Sequence, residues 1–356
     1  MKRRFLVISL AMVPFIGPAA PGGAALIDDR RISINTESDL RQLRQRLTRF
    51  IWGQDRLPDR MPDEVSVAES PLTKVENLEK VESISVTMEA GQRTVGYLYL
   101  PWNRNQRAVI VHQGHACDTG AAGVGNAIRD LVRSGYSVLA MNMPRCRAGD
   151  CSSDCTAAHN EMFASPQVSQ GSPLKFFLEP IAIGLNYLQR QGADGKRYTD
   201  FNMVGLSGGG WTTTVYAAID PRITLSFPVA GTLPLFLRND GSVGDAEQTL
   251  PDFYRTASYL DLYVMGSWGR GRKQVQILNE RDDCCFGVAQ HKTPATYKED
   301  LRAYERLVQN KLASLGAGIF KLEIDSIAPN HMISGYASTN MILGELNRNW
   351  HGKRAQ

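Results

Sequence analysis

Beyond its first 25 residues, the 356-residue chain has no apolar run approaching the roughly 20 residues needed to span a bilayer as a helix. A membrane span in the mature chain is therefore not expected. Nor is there a block of Lys and Arg interleaved with aromatics, and the formal charge is only +4, so nothing marks a nucleic-acid surface. The absence of internal repeats and low-complexity tracts excludes solenoid, collagen-like and coiled-coil architectures. Cysteine is sparse, with six in all, and none sits at the C-x2-C spacing of a structural zinc site. What remains is ordinary globular composition, 43% hydrophobic and 21% charged, which is enough apolar surface to bury a core.

Lys2-Arg3-Arg4 opens the chain, followed by an apolar run over 5–17 broken only by Ser9 and Pro14, then small residues through Ala25. A basic start, a short apolar stretch and a small-residue exit form the pattern of a secretory signal peptide over residues 1–25. Without Lys2, Arg3 and Arg4 the net charge falls to about +1. Export to the periplasm or beyond makes the even set of Cys117, Cys146, Cys151, Cys155, Cys284 and Cys285 disulfide candidates, with 15 connectivities open. The expectation is that Cys284 or Cys285 is bridged to a distant cysteine, with a bond between the two neighbours in second place.

Residues 26–81 read as an N-terminal extension of a helix plus a loop, and 82–356 as the catalytic domain. Leu40, Leu43, Leu47, Phe50 and Ile51 fall on one helical face, whereas 57–71 is rich in proline and acid and reads as a loop. Two alternating stretches, 83–89 and 94–100, form an antiparallel pair around Ala90-Gly91-Gln92. Thereafter short apolar runs at 108–112, 136–142, 202–206, 224–229, 274–278 and 319–324 alternate with helical patterns at 124–134, 174–190, 210–219, 297–315 and 332–350. Such alternation predicts an α/β fold, a mostly parallel sheet of about eight strands with helices on both faces. In such sheets the residues just beyond strand carboxyl ends are the ones that meet ligands.

Gly205-Leu206-Ser207-Gly208-Gly209 lies between a strand and a helix, which is G-x-S-x-G in the setting of a nucleophile turn. A serine hydroxyl needs a base to take its proton and an acid to orient that base, following the serine in the order acid, then histidine. Beyond the 274–278 strand stand Glu280, Asp282 and Asp283, of which Asp282 is the first candidate acid and Asp283 its chief competitor. Of the six histidines, His331 alone follows a further strand and precedes a helix, which makes it the base. Oxyanion donors are expected from the backbone N–H groups of Gly208 and His115, the latter on the turn His112-Gln113-Gly114-His115 after an early strand. Gly114, His159 and Trp211 are candidate substrate contacts, and the 144–172 loop is expected to overhang the site. His112 and His115 have an i, i+3 spacing but no E-x-x-H context, so no metal is expected.

These motifs, in this order, resemble the α/β-hydrolase superfamily over residues 82–350. The stretch 208–231 with Trp211, and the Asp-Cys-Cys-Phe segment, is similar to secreted bacterial members of the dienelactone hydrolase-like and acetyl-xylan-esterase-like groups. The resemblance implies an eight-stranded core, a Ser-His-Asp triad and no cofactor. The commonest lipase pattern, His-Gly-Gly-Gly, is replaced here by His112-Gln113-Gly114-His115.

The expectation is thus an exported serine hydrolase acting on a small or polymer-derived carboxylic ester. Its rivals are a serine peptidase or amidase on the same fold and a non-catalytic binding protein that retains it. In a bacterial host the exported chain should begin near residue 26. N-terminal sequencing checks this, and an intact Lys2-Arg3-Arg4 on exported protein would contradict it.

Overall fold

Runs of Val, Ile, Leu and Ala too apolar to leave a polar face become strands covered on both sides. The computed structural model describes residues 27–354 apart from 117, 146–154, 166, 193, 239–243 and 289–293. Its strands are β1 (Glu64–Ala68), β2 (Leu78–Thr87), β3 (Arg93–Pro101), β4 (Arg107–His112), β5 (Ser137–Met141), β6 (Asp200–Leu206), β7 (Ile223–Val229), β8 (Lys273–Asn279) and β9 (Ile319–Asp325). They form one nine-stranded sheet in the order β1-β2-β3-β5-β4-β6-β7-β8-β9. The β1–β2, β2–β3 and β3–β5 pairs are antiparallel, and every pair from β5 through β9 is parallel. In β4, β5 and β6 every residue is buried.

The helices are α1 (Glu37–Trp52), α2 (Val124–Arg133), α3 (Cys155–Ala164), α4 (Lys175–Arg190), α5 (Gly208–Ile219), α6 (Ala246–Thr249), α7 (Pro251–Thr256), α8 (Tyr259–Ser267), α9 (Pro294–Ser314) and α10 (Leu343–Arg354). They divide between two apolar layers. Leu47 of α1, Phe177 of α4, Trp211 of α5, Tyr263 of α8 and Tyr304 of α9 share one layer with Ile110 of β4. Ile128 of α2 and Leu346 of α10 share the other with Val109 and Val111, as the two-residue period of a strand requires.

Three readings need correction. The 57–71 stretch holds β1, a five-residue edge strand whose residues stay largely in contact with solvent, so it lacks the apolar signature of the central strands. The boundary between 81 and 82 falls inside β2, and α1 packs its leucines into the same layer as α4 and α5. The closing helix begins with a π-helical segment, Ala337–Ile342, leaving His331 in the loop before it. Helices α6 to α8, between 230 and 273, carry no sequence expectation at all.

All parallel strands end at one rim, so the residues after β4, β6, β7, β8 and β9 converge there. At the opposite rim Arg107 is almost fully buried, its guanidinium donating to Asp200 Oδ2, Tyr136 Oη and the Leu346 carbonyl, each at 2.9 Å. Breaking a buried ion pair from one side costs about 3–5 kcal/mol. Arg107→Ala should therefore lower the urea midpoint by that equivalent, with activity per folded molecule unchanged; a midpoint within error of wild type would contradict this.

Candidate active site

Ser207 stands in the turn from β6 into α5 with φ 58° and ψ −126°, a conformation costly for any residue with a Cβ. Its N–H donates to the Val229 carbonyl at 2.9 Å, and its carbonyl accepts from Trp211 at 3.0 Å. The turn works because its neighbours lack side chains. A Cβ at Gly205 would collide with the Gly209 carbonyl, and one at Gly209 with the His112 carbonyl. Ser207 is consequently presented, half-buried, at the rim.

Asp282, three residues beyond β8, is fully buried. Its Oδ1 accepts the N–H groups of Cys284 at 2.9 Å and Cys285 at 3.0 Å, which folds the loop back on itself. Both carboxylate oxygens lie 2.9 Å from His331 Nδ1. A carboxylate only accepts, so Nδ1 carries the proton and Nε2 of the neutral ring presents a lone pair. Nε2 is buried and has no hydrogen-bond partner, Ser207 Oγ included. In empty sites such bonds are commonly long until substrate arrives.

Two further contacts hold the histidine loop. Asn279, the last residue of β8, donates to the carbonyls on either side of His331, Asn330 at 3.0 Å and Met332 at 2.8 Å. Asp283 accepts the His331 backbone N–H at 3.0 Å, touching the main chain rather than the ring. Glu280 is ion-paired with Lys298 of α9 at 2.7 Å. The three acids that the sequence left in competition thus have three different partners, and Asp282 alone meets the imidazole.

On the other side of Ser207, the Gly208 N–H is the first of α5 and has no acceptor within the helix. In the turn after β4, the Gln113 N–H donates to Met141 and the Gly114 N–H to the Gln113 side chain, both at 2.9 Å. The His115 ring lies against Gly208, where an added Cβ would clash with it. His112 points back to the Gln113 carbonyl at 2.8 Å, and burial lowers its pKa to about 4.

The three expected substrate contacts take other roles. Gly114 is buried against Ser207, with its N–H already satisfied. Trp211 is fully enclosed by the core, edge-on to Phe177 and donating to Tyr254 Oη at 2.7 Å. His159 of α3 is fully buried behind His115, with Nε2 on the Pro144 carbonyl at 2.9 Å. Cys284 and Cys285 have their sulfurs at bonding distance from one another, the pairing ranked second from the sequence. Cys117, Cys146 and Cys151, and the side chain of Cys155, lie outside the described residues.

A cleft of about 300 Å³ opens over Ser207, walled by His115, Gly231, Asp245, Gln248 and Phe286. A larger one of about 460 Å³ lies at the opposite rim, where β7, β8 and β9 begin, away from all of these groups.

No family model matches the chain, and no curated protein matches it either. Solved structures do. A methylesterase superposes with a TM-score of 0.55 at 12% identity, covering 89% of this chain and 64% of its own length. An acetyl xylan esterase from Paenibacillus sp. R4 gives 0.54 at 13% identity, covering 89% of this chain and 96% of that one. A glucuronoyl esterase from Solibacter usitatus gives 0.54 at 11%, covering 87% and 92%. This chain has the α/β-hydrolase fold. It spans just under two thirds of the methylesterase, and nearly all of the other two.

Asp245 and Glu247 went unread in the sequence. They sit in a segment without apolar periodicity, and the only local signal was two acids one residue apart on either side of Ala246. Within this α/β-hydrolase fold they lie beside His115 and His159, which were read as unconnected.

Burial alone raises the Asp282 carboxyl, but the His331 hydrogen bond and charge, with the two backbone N–H donors, bring it below its ordinary 3.8. A lowered folded value means that the ionised carboxylate stabilises the fold above pH 3.8, an advantage lost as pH falls through that lowered value. The gap in urea midpoint between wild type and Asp282→Asn should therefore be widest near neutrality and narrow on acidification. A gap that widens toward acid would contradict the arrangement.

Proposed function

We propose that this chain is an exported serine hydrolase that cleaves carboxylic esters, with Ser207 as nucleophile, His331 as general base and Asp282 as the acid that orients it. The observation that carries the reading is the His331 imidazole, gripped by a buried carboxylate at 2.9 Å through Nδ1 while Nε2 stays buried and unpartnered. A lone pair held that way, at the rim where a strained serine is presented, suits proton abstraction. The fold-level likeness to proteins named as a methylesterase, an acetyl xylan esterase and a glucuronoyl esterase supports an ester as substrate.

In this mechanism Ser207 Oγ attacks the ester carbonyl as its proton passes to His331 Nε2. Asp282 stabilises the resulting imidazolium without taking the proton itself. The N–H groups of Gly208 and His115 receive the oxyanion of the tetrahedral intermediate. Collapse expels the alcohol, which takes the proton from Nε2, and water repeats the sequence on the acyl-enzyme. Asp283 positions the loop through the His331 main chain. We further infer that Cys284 and Cys285 form a disulfide that stiffens the turn holding Asp282. A cleft of about 300 Å³ is at the small end for ligand sites and suits a short acyl group.

Hydrolysis of a chain-length series of aryl esters, set beside matched amides, tests the reading. Ser207→Ala should lower kcat by about 10⁶-fold and Asp282→Asn by about 10⁴-fold. Asp283→Ala, which removes one hydrogen bond to backbone, should cost less than about tenfold. A fluorophosphonate should label wild type at Ser207. Equal rates for wild type and Ser207→Ala would refute the mechanism, and faster amide than ester turnover would make the chain an amidase.

A further inference from the structure

Next to the nucleophile, three ligand-type side chains from three separate segments, His115, His159 and Glu247, meet one another, and Asp245 stands beside His115. His115 Nε2 lies 3.1 Å from His159 Nδ1, 3.2 Å from Glu247 Oε1 and 3.3 Å from Asp245 Oδ2. His159 Nδ1 is 3.8 Å from Glu247 Oε2. Glu247 is completely buried, and among the described residues neither of its carboxylate oxygens accepts a well-aligned hydrogen bond, although His115 and His159 stand at its edge. Burying an unsatisfied carboxylate is costly unless another group neutralises it.

The spacing and the ring orientations both have one economical explanation. A tetrahedral ion with bonds of about 2.0–2.1 Å to nitrogen and oxygen holds its ligand atoms about 3.3–3.4 Å from each other, and the three contacts among His115, His159 and Glu247 bracket that figure. The Pro144 carbonyl can only accept, so His159 Nε2 must carry the proton and leave the Nδ1 lone pair facing the cluster. An N–H donated to a backbone carbonyl is how proteins commonly orient a metal-ligating histidine. His115 Nε2, by contrast, faces three acceptors or lone pairs at similar distance, more than one N–H can serve. As a metal ligand it would face His159 and Glu247 across a shared ion.

We propose that His115, His159 and Glu247 form a divalent-metal site of the zinc class, with two nitrogen ligands and one oxygen ligand from the chain and water completing the tetrahedron. Imidazole with carboxylate favours zinc and its late first-row neighbours over calcium or magnesium. The ion ties the turn after β4 to α3 and α6, fastening α3 beside the cleft that its Thr156 helps to line. Resting on the hydrolase reading above, it also fixes the backbone of His115, the second oxyanion donor, so the site acts by positioning and not on the reacting atoms. No local spacing marks these ligands, which come from positions 115, 159 and 247.

The full chain, stripped with a chelator and titrated with Zn²⁺ followed by gel filtration and elemental analysis, should retain about one equivalent. Glu247→Gln and His159→Ala should each weaken binding at least about 10-fold, the lower end for loss of an oriented ligand. Ser207→Ala should bind as wild type does, which separates failure of the metal site from failure of the hydrolase reading. X-ray absorption of the zinc-loaded wild type should show four N/O neighbours, including imidazole, and this holds even if a ligand variant fails to fold. Retention of no zinc, unchanged binding in folded Glu247→Gln and His159→Ala, or a spectrum without imidazole would each overturn the proposal. So would binding of calcium in preference to zinc.

Discussion

Crowding at the β6–α5 turn sets the terms for the rest of the site. Ser207 is held with a positive φ because its N–H is bound to β7 and its carbonyl is taken by the first turn of α5. This is possible only where flanking positions have no Cβ: Gly205 and Gly209 leave the backbone of α5 close to β6 and to the end of β4. Gly114 and Gly231 approach Ser207 from β4 and β7 under the same restriction. Strain stored in one residue is thus maintained by close packing around it, and its hydroxyl has little alternative but to face the rim.

Around that fixed point, polar groups are satisfied in a way that assigns each a place. Asp282 is bound by two N–H groups of its own loop and by an imidazole, so its buried charge has partners on every side. Asn279 ends β8 and spends its amide on the His331 loop, which couples the register of the sheet to the position of the histidine. The buried groups left unsatisfied stand out against this background. Among them are Nε2 of His331, the proposed base, and both oxygens of the Glu247 carboxylate, which stands beside two histidines.

Much of the frame was legible because its signals are local. Apolar runs marked β4, β6, β7, β8 and β9 to within a few residues, and the leucine spacing marked α1. Edge strand β1 escaped because a strand exposed on most of its length has little hydrophobic pattern to read. Helices α6 to α8 escaped because two are too short to show periodicity, and α8 is buried on all faces. Trp211 and His159 were read toward substrate from their distance along the chain to Ser207 and the 144–172 loop, but burial places both behind the cleft wall.

Sequence alone determined that an alternating α/β chain carries a serine between glycines after a strand, with acids and a histidine beyond later strands. Those are properties of residue type and local spacing. Only the tertiary structure decided which acid of Glu280, Asp282 and Asp283 meets the imidazole, because adjacent side chains point in different directions once the loop is folded. It alone also brought positions 115, 159 and 247 together, with 245 beside 115, since parallel strands gather the ends of distant segments at one rim regardless of their separation along the chain.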